Sequence, residues 1–285
     1  MSGTLNSINT NVGAMIALES LNQTSSQLNA AQKEISTGYR VADATDDGAA
    51  YAVAQSVRSD VGALTAANQQ LGGIQGLLST TTTSLNSVSN LMGSMRQVLV
   101  DLANGDVNGN QRSQYAQQYN SLLSNLKSFL QDSNYAGKSL IGDIGGNTIS
   151  SVAVVRNEVG STYGIATFSG SGLYSSLAFT TTQLAGASTV AALITSSGTF
   201  INAFDDVGTQ LNYYGAATNY VSNQINYNSD KISALNTGLG ALIDADLASE
   251  SAQLQALQIR QQLGTQALTL ADQAPTTLLT LVKNA

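Results

Sequence analysis

Closely spaced carboxylates are the residues in this sequence whose type and spacing could do chemistry. Paired carboxylates act as general acid and base, or they coordinate a hard cation such as Ca²⁺. Three groups of them occur along the 285 residues: Asp43, Asp46 and Asp47; Asp205 and Asp206; and Asp244 and Asp246.

The first of these groups partly resembles a calcium-binding loop. Asp43 and Asp47 stand at the first and fifth positions of such a loop, and Gly48 stands at the sixth. The third position is Thr45, however, and the twelfth position, which needs a bidentate Glu, is Ala54. No His, Lys or Ser is spaced to assist the other two groups in acid–base work. We therefore expect solvated or helix-capping charges, and we predict no catalytic, cofactor or metal site.

The composition argues against several classes of protein. The sequence has no His and no Cys, which removes the commonest general base, all thiol chemistry and the commonest transition-metal ligands. Lys and Arg number 11 against 18 Asp and Glu, and the net charge of −7 argues against nucleic-acid binding. No apolar run approaches the roughly 18 residues of a membrane span, so we expect no membrane insertion. The first 20 residues lack a basic start and an uninterrupted apolar core, which predicts no Sec-type signal peptide.

The sequence contains a single Pro and is rich in Ala, Leu and Gln, which predicts long helices. The carboxylate groups must therefore lie on these helices or between them. Residues 5–35 and 246–282 carry apolar residues at helical spacing, several of them seven apart. Asn, Gln, Ser and Thr flank these residues, which favours helices packed on several sides over a one-faced surface helix. The residues expected to form this assembly seam are Ile8, Val12, Leu21, Leu28, Ile35, Leu254, Leu257, Leu263 and Leu270.

Short connectors separate the two end helices from the rest of the chain. Gly38 suits a helix C-terminus, and the following residues to Gly48 show no periodicity. The charged residues of this connector are Arg40, Asp43, Asp46 and Asp47. The last two stand where acids favour the start of the next helix. Gly238 and Gly240 predict a second connector before the last helix.

The centre of the sequence combines helices with a small β region. Helical periodicity covers residues 47–102, 109–131, 183–196 and 199–235. Residues 149–155 and 163–168 are β-prone runs on either side of a turn, which predicts one hairpin as the only strand-like region. The fold class is therefore mainly α, with long antiparallel helices that form a coiled-coil rod. Because the two ends mirror each other about the middle, both termini should lie side by side.

Pro275 lies inside the last helical pattern. A Pro in a helix interior removes one hydrogen bond and costs up to about 3 kcal/mol. We expect either a kink at this point or neighbouring subunits that hold the helix in place.

Both ends of the sequence carry runs that resemble bacterial flagellins. At the N-terminal end these runs are Ile8-Asn9-Thr10-Asn11, Ile35-Ser36-Thr37-Gly38-Tyr39-Arg40-Val41 and Ala44-Thr45-Asp46-Asp47-Gly48-Ala49-Ala50. At the C-terminal end they are Ile243-Asp244-Ala245-Asp246, Gln258-Ile259, Ala271-Asp272-Gln273-Ala274-Pro275 and Leu278-Leu279-Thr280-Leu281. They occur in order and at flagellin spacing, and the resemblance covers about residues 4–140 and 185–283.

The resemblance implies a structural, self-assembling subunit of the flagellar filament without catalytic activity. In flagellins the paired terminal helices form an inner coiled-coil tube, D0, and longer helices with a hairpin form a surrounding layer, D1. The expected division here is residues 1–43 for the N-terminal D0 helix and the start of the connector, 44–242 for D1, and 243–285 for the C-terminal D0 helix. The middle is too short for further outer domains.

The resemblance also implies partners and a location. Flagellins leave the cell through the flagellar export apparatus, with a chaperone and a filament cap as further partners, and form an extracellular filament used for motility. A hook–filament junction protein, which has similar ends, is the alternative function. Flagellins sensed by the vertebrate Toll-like receptor tend to carry Arg-Val-Arg-Glu-Leu on the first long helix. The matching run here is Ser94-Met95-Arg96-Gln97-Val98, so weak or no activation of that receptor is expected.

Overall fold

The structure, a computed structural model, describes residues 10–142, 144 and 151–283, with side chains in the last stretch to residue 273. Its helices are α1 (Val12–Thr37), α2 (Gly48–Ala103), α3 (Gly109–Gln131), α4 (Gly170–Leu177), α5 (Thr181–Ala185), α6 (Ala187–Leu193), α7 (Thr199–Ile243) and α8 (Leu247–Lys283). Its strands are β1 (Ile141–Gly142), β2 (Val152–Val155), β3 (Thr162–Ile165) and β4 (Phe168–Ser169). The prediction of a mainly α fold with a small β region is confirmed.

The chain divides into two compact units. One unit comprises residues 1–59 and 234–285, and the other comprises residues 60–233. Both α2 and α7 contribute to each unit, while α1 and α8 belong to the first unit alone.

A single apolar cluster fills the unit formed by residues 60–233. On α2 its members recur every seven residues, which places them on one face of the helix. The fully buried members of this row are Leu71, Leu78, Leu85, Met92 and Leu99. Thr81, on the same helix, is fully buried and donates its hydroxyl to the Leu77 carbonyl at 2.8 Å. The Thr-rich run therefore stays within the helix with its hydroxyl groups satisfied, because they donate to carbonyls one turn earlier.

The predicted hairpin is present and rests on α7. Strands β2 and β3 pair antiparallel, with Val152 opposite Ile165 and Val155 opposite Thr162. The Arg156 carbonyl at the turn accepts hydrogen bonds from Asn228 Nδ2 at 3.0 Å and from Gln224 Nε2 at 3.3 Å. Residues 149 and 150 of the predicted strand lie outside the described residues.

Three sequence predictions for the centre of the chain are wrong. The region predicted as one helix at 183–196 is two short helices that are separated by Gly186 in extended backbone. Helix α4 follows β4 directly, with Ser169 as its N-cap, in a segment outside the predicted helical ranges. A second pair of strands also exists, because β1 and β4 pair in parallel over two residues each. Strands this short carry no readable periodicity.

The predicted connector at Gly238 and Gly240 is also wrong, because α7 continues through both glycines to Ile243. A Gly inside a helix costs only about 1 kcal/mol relative to Ala. Ile243 is 1% exposed and packs in a cluster with Val41 and Ala54. Burial of the last turn of α7 therefore outweighs the weak helix propensity of the two glycines.

Removal of a side chain from the α2 row should destabilise the unit formed by residues 60–233. We expect Leu99→Ala, at a fully buried position, to lower its free energy of unfolding by about 2–5 kcal/mol because a cavity remains. Val100→Ala is the matched control, since Val100 is 53% exposed, and it should change this free energy by less than about 0.5 kcal/mol. Near-UV circular dichroism in urea measures the transition, because every Tyr except Tyr39 and Tyr51 lies in this unit. Equal effects of the two variants would contradict the assigned row.

Candidate functional site

Helices α1 and α8 pack antiparallel on each other through small and apolar side chains. Leu28 and Ala31 of α1 are buried in one cluster with Leu257 of α8. A Cβ added at Gly264 would lie 3.9 Å from the Cβ of Leu21, so the two backbones approach closely at this glycine. Leu257 and Gly264 stand seven residues apart on α8, and both face α1, so the contact between the two helices continues beyond the buried cluster.

The structure divides the predicted assembly seam between two faces of this helix pair. Leu28 and Leu257 are buried against each other, with Leu254 packed on them. Leu21, Ile35 and Val12 are half-buried. Leu263 and Leu270 are 59% and 68% exposed and take no part in the buried cluster. Ile8 lies outside the described residues.

Apolar side chains cover outward faces of both helices. On α8, Ile259 and the heptad-spaced pair Leu263 and Leu270 are all more than half exposed. On α1, Met15 and Ile16 are likewise more than half exposed. Exposed apolar patches of this kind mark interaction surfaces, because uncovered apolar area is costly in water. We call these five residues the outward apolar faces.

The charged connector is organised by Lys33, near the end of α1. Its Nζ lies 2.7 Å from Asp43 Oδ2 and 2.7 Å from Asp46 Oδ1. The Asp46 carboxylate also accepts from the backbone N–H groups of Ala42 at 3.0 Å and Asp43 at 3.2 Å. The hydrogen bonds from Lys33 hold the pKa of both carboxyl groups below its usual range and raise the pKa of Lys33.

The other connector residues satisfy the ends of helices. Arg40 donates from Nη2 to the Leu242 carbonyl at 2.7 Å and from its backbone N–H to the Ile243 carbonyl at 2.7 Å, at the C-terminus of α7. Asp47 caps α2, because its Oδ1 accepts from the Ala50 N–H at 3.0 Å. Asp46 does not cap α2 as the sequence suggested, since its oxygens bond to Lys33 and to the connector backbone.

The remaining acidic groups also hold structural or solvated positions. Asp246 Oδ1 accepts from the Ala248 N–H at 3.1 Å and caps α8. Asp205 and Asp206 are exposed on α7. Among the residues that the structure describes, no group of three or more His, Cys, Asp or Glu is placed to hold a metal ion. None of the described helices is long and apolar enough to cross a membrane.

Sequence reasoning missed Lys33 as the centre of the connector. A signal was present, because Lys33 is the sole basic residue of α1 and precedes Asp43 by ten residues. Helical periodicity places it correctly on α1, but no local pattern shows that the chain turns back after Gly38 and brings Asp43 within 2.7 Å.

Known proteins resemble the chain along nearly its whole length. A family model described as the bacterial flagellin N-terminal helical region matches residues 8–145, and one described as the bacterial flagellin C-terminal helical region matches residues 197–282. Flagellin FljM of Caulobacter vibrioides is 30% identical over 283 residues, which cover 98% of this chain and 99% of that protein. A flagellin of Brucella melitensis is 30% identical over 293 residues and covers 97% of this chain and 99% of that protein.

Among solved structures, a putative flagellar hook-associated protein from Vibrio parahaemolyticus has a similar fold. Its TM-score is 0.55 at 16% sequence identity, and the match covers 70% of this chain and 100% of that one. At this identity the likeness concerns the fold alone.

The connector geometry predicts how its carboxyl groups titrate. In the folded chain the pKa values of Asp43 and Asp46 lie below the unfolded value of about 4, so their attraction to Lys33 stabilises the connector above about pH 4. That contribution is lost as the pH falls through the folded values. We expect Lys33→Met to raise both pKa values, measured by NMR titration of the side-chain carboxyl carbons.

The matched control for this titration is Lys127→Met, which removes the same charge on α3. Lys127 lies over the ring of Tyr174, and its loss should leave the titration of Asp43 and Asp46 unchanged. Unchanged pKa values in Lys33→Met would show that Lys33 does not set them.

Proposed function

The chain belongs to the bacterial flagellin family and is a structural subunit of the extracellular flagellar filament, and we propose that it polymerises through the outward apolar faces of α1 and α8. The observation that carries this proposal is that both paired helices keep a second apolar face uncovered. Leu263 and Leu270, at a spacing of seven residues, form a coiled-coil seam that α1 does not occupy. Another copy of the chain supplies the missing partner.

The energetics support contact through these faces. Burial of apolar surface contributes roughly 25 cal/mol per Å², so a fully covered Leu contributes about 1.5–3 kcal/mol. Neutral Gln and Thr side chains beside the seam are desolvated at lower cost than Glu or Lys. We further propose that the paired α1 and α8 form the inner D0 layer, residues 1–43 and 243–285, and that residues 44–242 form D1.

Family membership supports further proposals about partners. We propose export through the flagellar export apparatus, with a chaperone and a filament cap as partners, and no catalytic activity. The relatives that match along almost the whole chain are flagellins, so the family comparison favours a filament subunit over the alternative of a hook–filament junction protein.

A charge on an outward apolar face should prevent polymerisation while the helix pair stays folded. We expect Leu263→Asp to give no filaments, because assembly would bury an unpaired carboxylate. Leu28→Asp should also prevent assembly, but by separating α1 from α8. The measurement is sedimentation and negative-stain microscopy after sulfate salting-out, with far-UV circular dichroism of the unassembled chains.

The matched control is Thr265→Asp, which adds the same charge at an exposed polar position of α8. It should polymerise like the unaltered chain. Normal filaments from Leu263→Asp would refute the outward face as an assembly surface.

We also propose that the chain activates the vertebrate Toll-like receptor for flagellin weakly. Its run departs from the receptor-activating pattern at Ser94 and Gln97, which are exposed, and at Met95 and Val98, which are buried in the apolar cluster. A receptor that contacts the surface of α2 meets the changes at Ser94 and Gln97 directly.

Restoring the two exposed residues should therefore restore signalling. We expect Ser94→Arg with Gln97→Glu to activate reporter cells at least tenfold more strongly than the unaltered chain, a gain that about 1.4 kcal/mol of binding supplies. Asn86→Arg, at another exposed position of α2, is the control and should change nothing. Full activation by the unaltered chain would overturn this proposal.

A further inference from the structure

Pro275 creates a specific deficit in α8. Helix α8 continues from Leu247 to Lys283 across this residue. A Pro has no backbone N–H, so it cannot donate the hydrogen bond that normally reaches the carbonyl four residues earlier. That carbonyl belongs to Ala271, which is half-buried on the side of α8 that faces α1.

A side chain of α1's N-terminus fills this deficit. Asn11 Nδ2 donates to the Ala271 carbonyl oxygen at 2.7 Å. The other end of the same amide caps α1, because Asn11 Oδ1 accepts from the Ala14 N–H at 3.1 Å. One side chain therefore completes the hydrogen bonding at the start of α1 and at the interruption of α8.

We propose that Asn11 is a register lock, in which its amide replaces the helix hydrogen bond that Pro275 removes and thereby fixes the position of α1 along α8. The inference concerns the helix pair within one chain and goes beyond the proposed function, since it does not depend on filament formation. It also changes the expectation for Pro275, because the group that compensates for the proline comes from the same chain.

The seam needs such a lock because its apolar pattern is repetitive. Leu21 and Leu28 stand seven residues apart on α1, as do Leu257 and Gly264 on α8. A contact pattern that repeats every seven residues allows two helices to pair in more than one register. A polar contact at one position selects one of these registers. Pro275 is the single Pro of the sequence, so within the interior of α8 it removes the helix donor of one carbonyl, that of Ala271, and this carbonyl marks a single register.

The lock lies beside the outward apolar faces and sets their relative placement. Met15 follows Asn11 by one helical turn, and Leu270 directly precedes Ala271. A slip of one heptad between α1 and α8 would move Met15 along Leu270 by about 10 Å. A partner that covers both faces at once therefore requires the register that Asn11 specifies.

The register is measurable by cross-linking, because the chain has no Cys of its own. The reporter is Leu21→Cys with Gly264→Cys, whose Cβ separation of 3.9 Å suits a disulfide. Equilibration of the full-length chain with glutathione, both unassembled and after sulfate salting-out, gives the effective concentration of the two thiols in each state. Leu21→Cys with Ala271→Cys, seven residues further along α8, detects a pair that has slipped by one heptad and leaves the backbone carbonyl of residue 271 in place.

The proposal predicts coupling between Asn11 and Pro275. Asn11→Ala should lower the effective concentration of the reporter thiols about tenfold, since it leaves a partly buried carbonyl unpaired. In the Pro275→Ala background the restored N–H of residue 275 donates to the Ala271 carbonyl. Asn11→Ala should then lower the effective concentration only by the amount that loss of the α1 cap causes. Equal losses in the two backgrounds would overturn the lock.

Asn11→Asp separates the two roles of the side chain. Asp caps a helix about as well as Asn, but its carboxylate has no hydrogen to donate to Ala271. We expect Asn11→Asp to lower the effective concentration like Asn11→Ala and to increase the slipped cross-link. Behaviour like the unaltered chain would show that Asn11 is a cap alone, and a reporter that forms in neither state of the unaltered chain would refute the pairing itself. A chain that cross-links in register but forms no filaments would instead refute the proposed function.

Discussion

The unit formed by residues 1–59 and 234–285 depends on the pairing of its first and last helices, whose contacting residues lie more than 200 positions apart in sequence. Asn11 bonds to Ala271 and Ser25 bonds to Gln261, at separations of 260 and 236 residues. Closing so long a loop costs entropy, although that cost grows only slowly with length. The described part of the α1–α8 cluster has just three buried members, Leu28, Ala31 and Leu257. The pairing is therefore supported by contacts at its ends as well as by its own seam.

The connector supplies support at one end, through its charged residues as well as through the burial of Val41 against Ile243. Lys33 gathers two carboxylates, and Arg40 bonds to the last carbonyls of α7. Glu34 opposes this arrangement, because burial and then the charge of Glu250 raise its pKa. As the pH falls through the raised pKa of Glu34, its protonation removes the cost of burying a charge and the repulsion from Glu250. At lower pH, protonation of Asp43 and Asp46 removes their attraction to Lys33. Mild acid therefore favours the stability of the helix pair through Glu34, whereas strong acid lowers it through Asp43 and Asp46.

Much of this fold follows from sequence periodicity, and what escapes it has identifiable physical causes. The long helices α2 and α3 and the hairpin were predicted closely, because their apolar spacing or β-prone runs extend over many residues. Gly238 and Gly240 misled the prediction, since burial of Ile243 overrides propensity. In the site, periodicity marked Leu257 and Leu263 as apolar seam residues without showing that they lie on different faces. The roles of Lys33 and Asn11 required contacts between distant segments, which no local pattern contains.

A helix pair with a small internal core and two uncovered apolar faces links folding to assembly. Any partner that binds the paired form but not the separated form stabilises pairing by mass action. In the proposed assembly, coverage of Leu263 and Leu270 by another copy would add to the stability of α1 on α8, and correct pairing would present both faces in the geometry that a copy requires. The neutral Gln and Thr flanks fit this linkage, because they stay hydrated in the free chain yet are desolvated at modest cost once neighbours arrive. A weak seam makes pairing responsive to assembly, since the fraction of paired helices changes most on partner binding when the pair alone is only marginally stable.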